Sequence, residues 1–170
     1  IVASLERWLS EKTGEASREI LIRGALSAFM ENEGVQRLAA GRLAHQDTAV
    51  EIRTAILDSL ADFPFGATPE IWMDSIDACL VDEAPENLQI HACRAAGALR
   101  SNQFDDRLLV MGAHCCLPIT VRLAAWEAVV ERATEVDAQS FVLLTSQLHE
   151  KVPILDRIRG AKILSKAPLN

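Results

Sequence analysis

Apolar residues recur along the chain at helical spacing. Ile1, Leu5, Trp8 and Leu9 share one helical face, as do Ile71, Ile76, Cys79 and Leu80, and Phe141, Leu144 and Leu148. No run alternates polar and apolar residues with β-branched side chains, so no sheet is expected. Turn-forming residues separate the helical runs: Gly14, Gly34, Pro64 with Gly66 and Pro69, Pro85, and Ser101-Asn102.

Five segments align without gaps: Ile22-Arg23-Gly24-Ala25, Ile52-Arg53-Thr54-Ala55, Ile90-His91-Ala92-Cys93, Val121-Arg122-Leu123-Ala124 and Ile158-Arg159-Gly160-Ala161, at spacings of 30, 38, 31 and 37 residues. Each has a β-branched aliphatic, then a cation or histidine, then a small residue three places after the aliphatic. The aliphatic is expected in the core, and the small residue where a neighbouring helix approaches closely. The side chain between them points sideways, towards the next repeat or solvent. Start signals precede each segment at Ser17, Asp47, Pro85, Pro118 and Pro153. These open the second helix of each pair. The first helices are expected at about residues 1–12, 34–45, 69–82, 104–115 and 138–150.

A period of this length points to stacked helical hairpins. The fold expected is all-α, a right-handed α-solenoid of about five antiparallel helix pairs. Residues 1–170 form one repeat domain, with repeats at about 1–33, 34–66, 67–102, 103–134 and 135–170. The chain opens on Ile1 rather than Met and shows no dedicated polar cap at either end. It therefore reads as a fragment of a longer protein with further repeats or domains beyond it.

Asp47-x-x-Val50-x-Ile52-Arg53-x-Ala55 and Pro118-x-x-Val121-Arg122-Leu123-Ala124-Ala125 resemble the second helix of a HEAT repeat, within the wider HEAT/armadillo-like class. Only the second copy has the family's Asp six residues before its Arg, and the third has His91 in place of Arg. The family's Asp–Arg ladder is thus not expected here. Phe104 with Leu108 and Leu109, Leu117-Pro118, Phe141-x-Leu143-Leu144 and Val152-Pro153-Ile154-Leu155-x-Arg157 also resemble the HEAT region of large planctomycete-type membrane-bound dehydrogenase or haem-binding proteins. That resemblance implies an extracytoplasmic accessory domain beside quinone- or haem-linked chemistry. Without it, a cytoplasmic location is the alternative.

Charge and composition narrow the partners. The net charge is −7, and no basic run is present, so nucleic acid is not expected. No apolar stretch is long enough to span a membrane. The chain lacks C-x-x-C-H, H-E-x-x-H, a phosphate-cradling Gly-rich loop and G-x-S-x-G. No catalytic residue, metal or cofactor is assigned. His91 and Cys93 lie two apart, as do His114 and Cys116, and on a regular helix neither pair can serve one ion. A zinc site would have to join His91, His114 and Cys115 across helices. His149-Glu150 is a single His-Glu pair, short of the several that HEAT-like iron hydroxylases carry. Trp8, Trp72 and Trp126 read as packing residues.

The function expected is a non-catalytic scaffold. Its partner is another protein, or neighbouring domains of the parent chain. The candidate contact is the ridge on the second helices formed by Thr54, Asp58, Ala96, Leu123 and Glu127, with tight packing between those helices as the competing reading.

Overall fold

The computed structural model describes residues 2–10, 16–65, 69–99 and 101–168. Gly14 and Gly66 lie outside the described residues, as do Ile1 and the side chains of Trp8, Leu9 and Ser17. The described residues are helical, without strands. They divide into two compact units, Ile1–Leu99 and Arg100–Asn170, so the boundary falls between the third and fourth helix pairs.

The first unit holds α1 (Val2–Ser10), α2 (Ala16–Phe29), α3 (Glu33–Ala44), α4 (Val50–Asp62), α5 (Met73–Asp77, after a 3-10 turn at Glu70–Trp72) and α6 (Glu86–Ala98). Its helices pack in two rows. α3 touches α1 on one side and α5 on the other, while α4 touches α2 and α6; cross-contacts join α1 to α2, α3 to α4 and α5 to α6. The second unit holds α7 (Asp105–Ala113, after a 3-10 turn at Asn102–Phe104), α8 (Ile119–Val129), α9 (Ala138–Ser146) and α10 (Ile154–Lys166). There α7 packs on α8, α9 on α10, α7 on α9 and α8 on α10.

α4, packed between α2 and α6, is buried along most of its length. Every residue from Ile52 to Leu60 is buried, including Arg53, Thr54, Asp58 and Ser59. A helix enclosed on all sides has no face left for unpaired polar groups. Two of the four turn back onto their own helix: Thr54 Oγ1 donates to Glu51 O (2.9 Å) and Ser59 Oγ to Ala55 O (2.8 Å). Arg53 and Asp58 find partners on other elements, described below.

The helix starts refine the expected signals. Asn32 caps α3 by accepting from Val35 N (3.2 Å), and Asp137 caps α9 by accepting from Ser140 N (3.0 Å). Asp47 is not a cap. α4 starts at Val50 behind Ala49, while the Asp47 backbone N–H donates to His45 Nδ1 (3.3 Å). Pro85, Pro118 and Pro153 sit one position before the first helical residue, each with φ near −52° and extended ψ. Proline suits that place because the N–H it lacks would find no intrahelical acceptor.

Two first helices are shorter than expected. α5 ends at Asp77 and tightens through Cys79 N→Ile76 O (2.8 Å) and Leu80 N→Asp77 O (3.0 Å), bonds spanning three residues. α9 ends at Ser146 in the same way, through Gln147 N→Leu144 O and Leu148 N→Thr145 O.

The small residues at the aligned third position divide by copy. Ala55, Cys93 and Ala124 are buried, Ala25 is half-buried and Ala161 is exposed. In the fifth copy the close approach belongs to Gly160 instead. A methyl added there would lie 3.0 Å from Gln147 Cβ and 3.4 Å from Leu144 O on the α9 side. Ile158 likewise misses its expected core place, at 57% exposed, whereas Ile22, Ile52 and Val121 are buried.

Gly112 of α7 lets the fully buried Trp126 of α8 lie across it; an added Cβ would sit 2.6 Å from the indole Nε1. Gly112→Ala should therefore destabilise the protein by about 1–3 kcal/mol through overpacking. Gly41, exposed in α3 with nothing within 4 Å of an added Cβ, is the control: Gly41→Ala should stabilise by about 0.5–1 kcal/mol, the ordinary helix-propensity gain. Thermal melts of both variants check the pair.

Candidate functional site

Four second helices carry a long hydrogen-bond donor at the same place, four residues after the N-cap: Arg53 after Ala49, Gln89 after Pro85, Arg122 after Pro118 and Arg157 after Pro153. Three of them close the end of the first helix of their own pair. Arg53 Nε donates to Leu43 O (2.9 Å) at the end of α3. Gln89 Nε2 donates to Val81 O (2.7 Å) and Asp82 O (3.3 Å) in the turns after α5. Arg122 Nε donates to Gly112 O (3.1 Å), and its NH2 to Ala113 O (3.4 Å), at the end of α7. The last carbonyls of a helix have no intrahelical partner, and a buried carbonyl left alone is costly. In the fourth case Arg157 Nε is buried with no protein partner.

These donors reveal a register two residues away from the gapless alignment in two of the five copies. In the second and fourth copies the aligned cation is the carbonyl donor, Arg53 or Arg122. In the third and fifth copies the aligned His91 and Arg159 stand two residues past the donors Gln89 and Arg157. Counted between donors, the spacings become 36, 33 and 35 residues, far more even than 38, 31 and 37.

The shifted cations do something else. His91 Nδ1 lies 2.6 Å from Asp58 Oδ1. Arg23 NH1 approaches Asp58 Oδ2 at 3.2 Å, and Arg94 NH1 approaches Asp58 Oδ1 at 3.5 Å. Both arginines also reach Asp62, at 3.8 and 3.4 Å. The acid on α4 thus ties α2 to one side and α6 to the other. In the second unit, Arg159 (3.4 Å) and Lys162 (2.6 Å) of α10 pair with Glu127 of α8, and Lys166 pairs with Glu131. Asp58 and Glu127 occupy the same place, nine residues after their N-caps. This ladder joins neighbouring second helices and does not use Asp47, the residue on which the family's ladder would rest. A further fork, Arg132 to Asp105 (2.7–3.2 Å), ties the turn after α8 to the start of α7.

Asp58 is the electrostatic centre of the first unit. Burial alone would raise its pKa. The hydrogen bond from His91 and the charges of His91, Arg23 and Arg94 outweigh burial and hold the carboxyl below its ordinary value. An ionised carboxylate only accepts hydrogen bonds, so His91 Nδ1 carries the proton it donates.

The structure places the five ridge residues plainly. Thr54, Asp58, Ala96 and Leu123 are buried, and Glu127 is half-buried beneath Arg159 and Lys162. Burial of the first four is what tight packing between second helices requires, and it leaves their side chains off the open surface. Among the described residues no group of three or more His, Cys, Asp or Glu side chains is placed to hold an ion. His91 turns to Asp58, while Cys93, on the same helix, is fully buried with its thiol pushed up to about 12 by burial. Cys79 is also buried and raised by burial, with Arg53 NH2 at 3.3 Å opposing the shift. Trp72 and Trp126 are fully buried packing residues. No described helix is long and apolar enough to cross a membrane.

The depressed Asp58 pKa fixes the sign of a pH effect. Its stabilising contribution is fully present above the unfolded-state value near about 4 and is lost as pH falls through the lower folded-state value. Asp58→Asn should destabilise the protein at pH 7 by roughly 1–3 kcal/mol and should flatten the decline in stability on the acid side. Urea titrations of both proteins across the acid range check this; an unchanged acid limb would mean that Asp58 does not govern it. Arg53→Met, which removes the donor and keeps the stem, should cost about 1–3 kcal/mol through the stranded Leu43 carbonyl.

Comparison of the chain with family models, curated proteins and solved structures gives no match.

Proposed function

We propose that this chain is a segment of a HEAT-like α-solenoid that serves as a protein-interaction scaffold. The observation that carries the reading is the repeated donor. Arg53, Gln89 and Arg122 close the preceding first helix from one common position, as expected when a single helix-pair design recurs. Several of the charged side chains support it from another direction. Asp58, His91, Arg94, Glu127 and Arg159 are occupied in holding helix to helix.

In such a stack each pair offers the next an apolar face. The pair α9–α10 has exposed apolar side chains at Val142, Ile154, Leu155 and Ile158. In the donor register the positions matching Ile158 in earlier copies, Thr54 and Leu123, are buried in contact-making helices. The occupant that fits this face is another helix pair stacked in the same register. A second copy of the chain supplies one for testing.

The experiment is a double substitution, Leu155→Asp with Ile158→Asp. The unaltered protein is expected to associate with rising concentration in sedimentation; the variant is expected to lose that association while keeping its helix content and melting temperature. A large fall in melting temperature would place these side chains in the core and overturn the reading. So would stoichiometric iron or zinc in the purified protein accompanied by hydroxylase or hydrolase activity.

A further inference from the structure

The turn between α7 and α8 carries two adjacent, exposed thiols. Leu117 N donates to His114 O (3.1 Å), closing a four-residue turn with Cys115 and Cys116 at its centre. Both cysteines are exposed and reduced, and their sulfurs lie 3.9 Å apart. The turn is pinned at both ends. Arg122 holds the Gly112 and Ala113 carbonyls before it, and buried Leu117 with Pro118 starts α8 after it.

The sulfur separation selects among the things two thiols can do. A disulfide needs about 2.05 Å, so oxidation would force this anchored turn to rearrange. An ion bonded to two thiolates at about 2.3 Å each, at a tetrahedral angle, sets its sulfurs roughly 3.8 Å apart. The thiols, now in S–H···S contact at 3.9 Å, thus already stand at the separation that a two-thiolate chelate needs. The other two cysteines offer no such site, because Cys79 is buried in the turn after α5 and Cys93 in α6.

We propose that Cys115 and Cys116 form a bidentate site for a thiophilic divalent d10 ion of the zinc class. Each thiol gives up its proton as its sulfur bonds the metal, so binding releases protons and weakens as pH falls. Two protein ligands leave two tetrahedral positions for water or a small thiol. The site is therefore open and exchangeable, unlike the closed four-ligand structural kind.

Cadmium is the probe, because its thiolate complexes absorb in the ultraviolet. Titration of the whole chain should give a charge-transfer band that saturates at one ion per chain, with an intact-mass adduct of the same stoichiometry. Zinc should displace it competitively. Cys115→Ser and Cys116→Ser should each weaken binding at least about tenfold, whereas Cys79→Ser should leave it unchanged. The idea is overturned by absence of the band, by survival of full binding in either turn variant, or by one ion shared between two chains. Circular dichroism of the variants separates lost binding from lost folding, since exposed turn residues are not expected to alter the helix content.

Discussion

The backbone carbonyls at the end of each first helix set the terms for the rest of the structure. Such groups have no partner within their own helix, and burying them against a second helix makes water a poor substitute. Arg53, Gln89 and Arg122 answer this with one side chain each, from the second helix of the same pair. The need fixes the residue type, since only a long donor spans the gap. It also fixes the position, because a donor four residues past the N-cap lies one turn inside the helix and faces its neighbour. Apolar packing does the bulk of the stabilising, but it is tolerant of small slips. The donor–carbonyl contact is not, and it holds the two helices of a pair in one register.

A second order of charge is laid over the first. Once the inward place is taken by the carbonyl donor, residues two and five places further along point at neighbouring second helices. There His91 and Arg94 meet Asp58, and Arg159 and Lys162 meet Glu127. The two centres differ in weight. Asp58 is enclosed and meets cations from both α2 and α6, so losing it would leave Arg23, His91 and Arg94 facing one another. Glu127 and its partners are substantially exposed, where screening makes ion pairs worth little. The same layout thus stabilises unequally in the two units.

Helix positions were legible in the sequence because apolar spacing and proline punctuation are local signals. Ala138, where α9 starts, and Pro118, which caps α8, fall where the sequence reading put them. Register was less legible. Aligning on Ile-Arg or Ile-His pairs merged two different jobs, carbonyl donor and ladder cation, because both call for a basic side chain after an aliphatic. The uneven spacings held the clue, and so did Gln89, a neutral donor that a search for cations passes over. The ridge left two readings open in the sequence, a contact surface or tight packing between second helices. Small residues such as Ala96 signal close approach, and periodicity cannot say whether the neighbour is another protein or the next helix of the same chain. Arg132 and Asp105 left no local signal at all, since their pairing joins residues 27 apart.

The fifth pair shows where the design is least complete. Arg157 stands where Arg53, Gln89 and Arg122 stand, yet its buried Nε meets no protein acceptor. On the same pair, Ile158 and Leu155 are exposed, and Gly160 rather than Ala161 takes the close contact with α9. Two of these features share a cause. The gapless alignment is shifted by two residues in this copy: in the donor register Ile158 stands with Thr54 and Leu123, and Gly160 with Ile56 and Ala125, while Ile163 takes a buried place. An aliphatic selected only for burial within this pair would sit at the inward position. Ile154, Leu155 and Ile158 instead fall within one turn of each other along an exposed stretch of the helix.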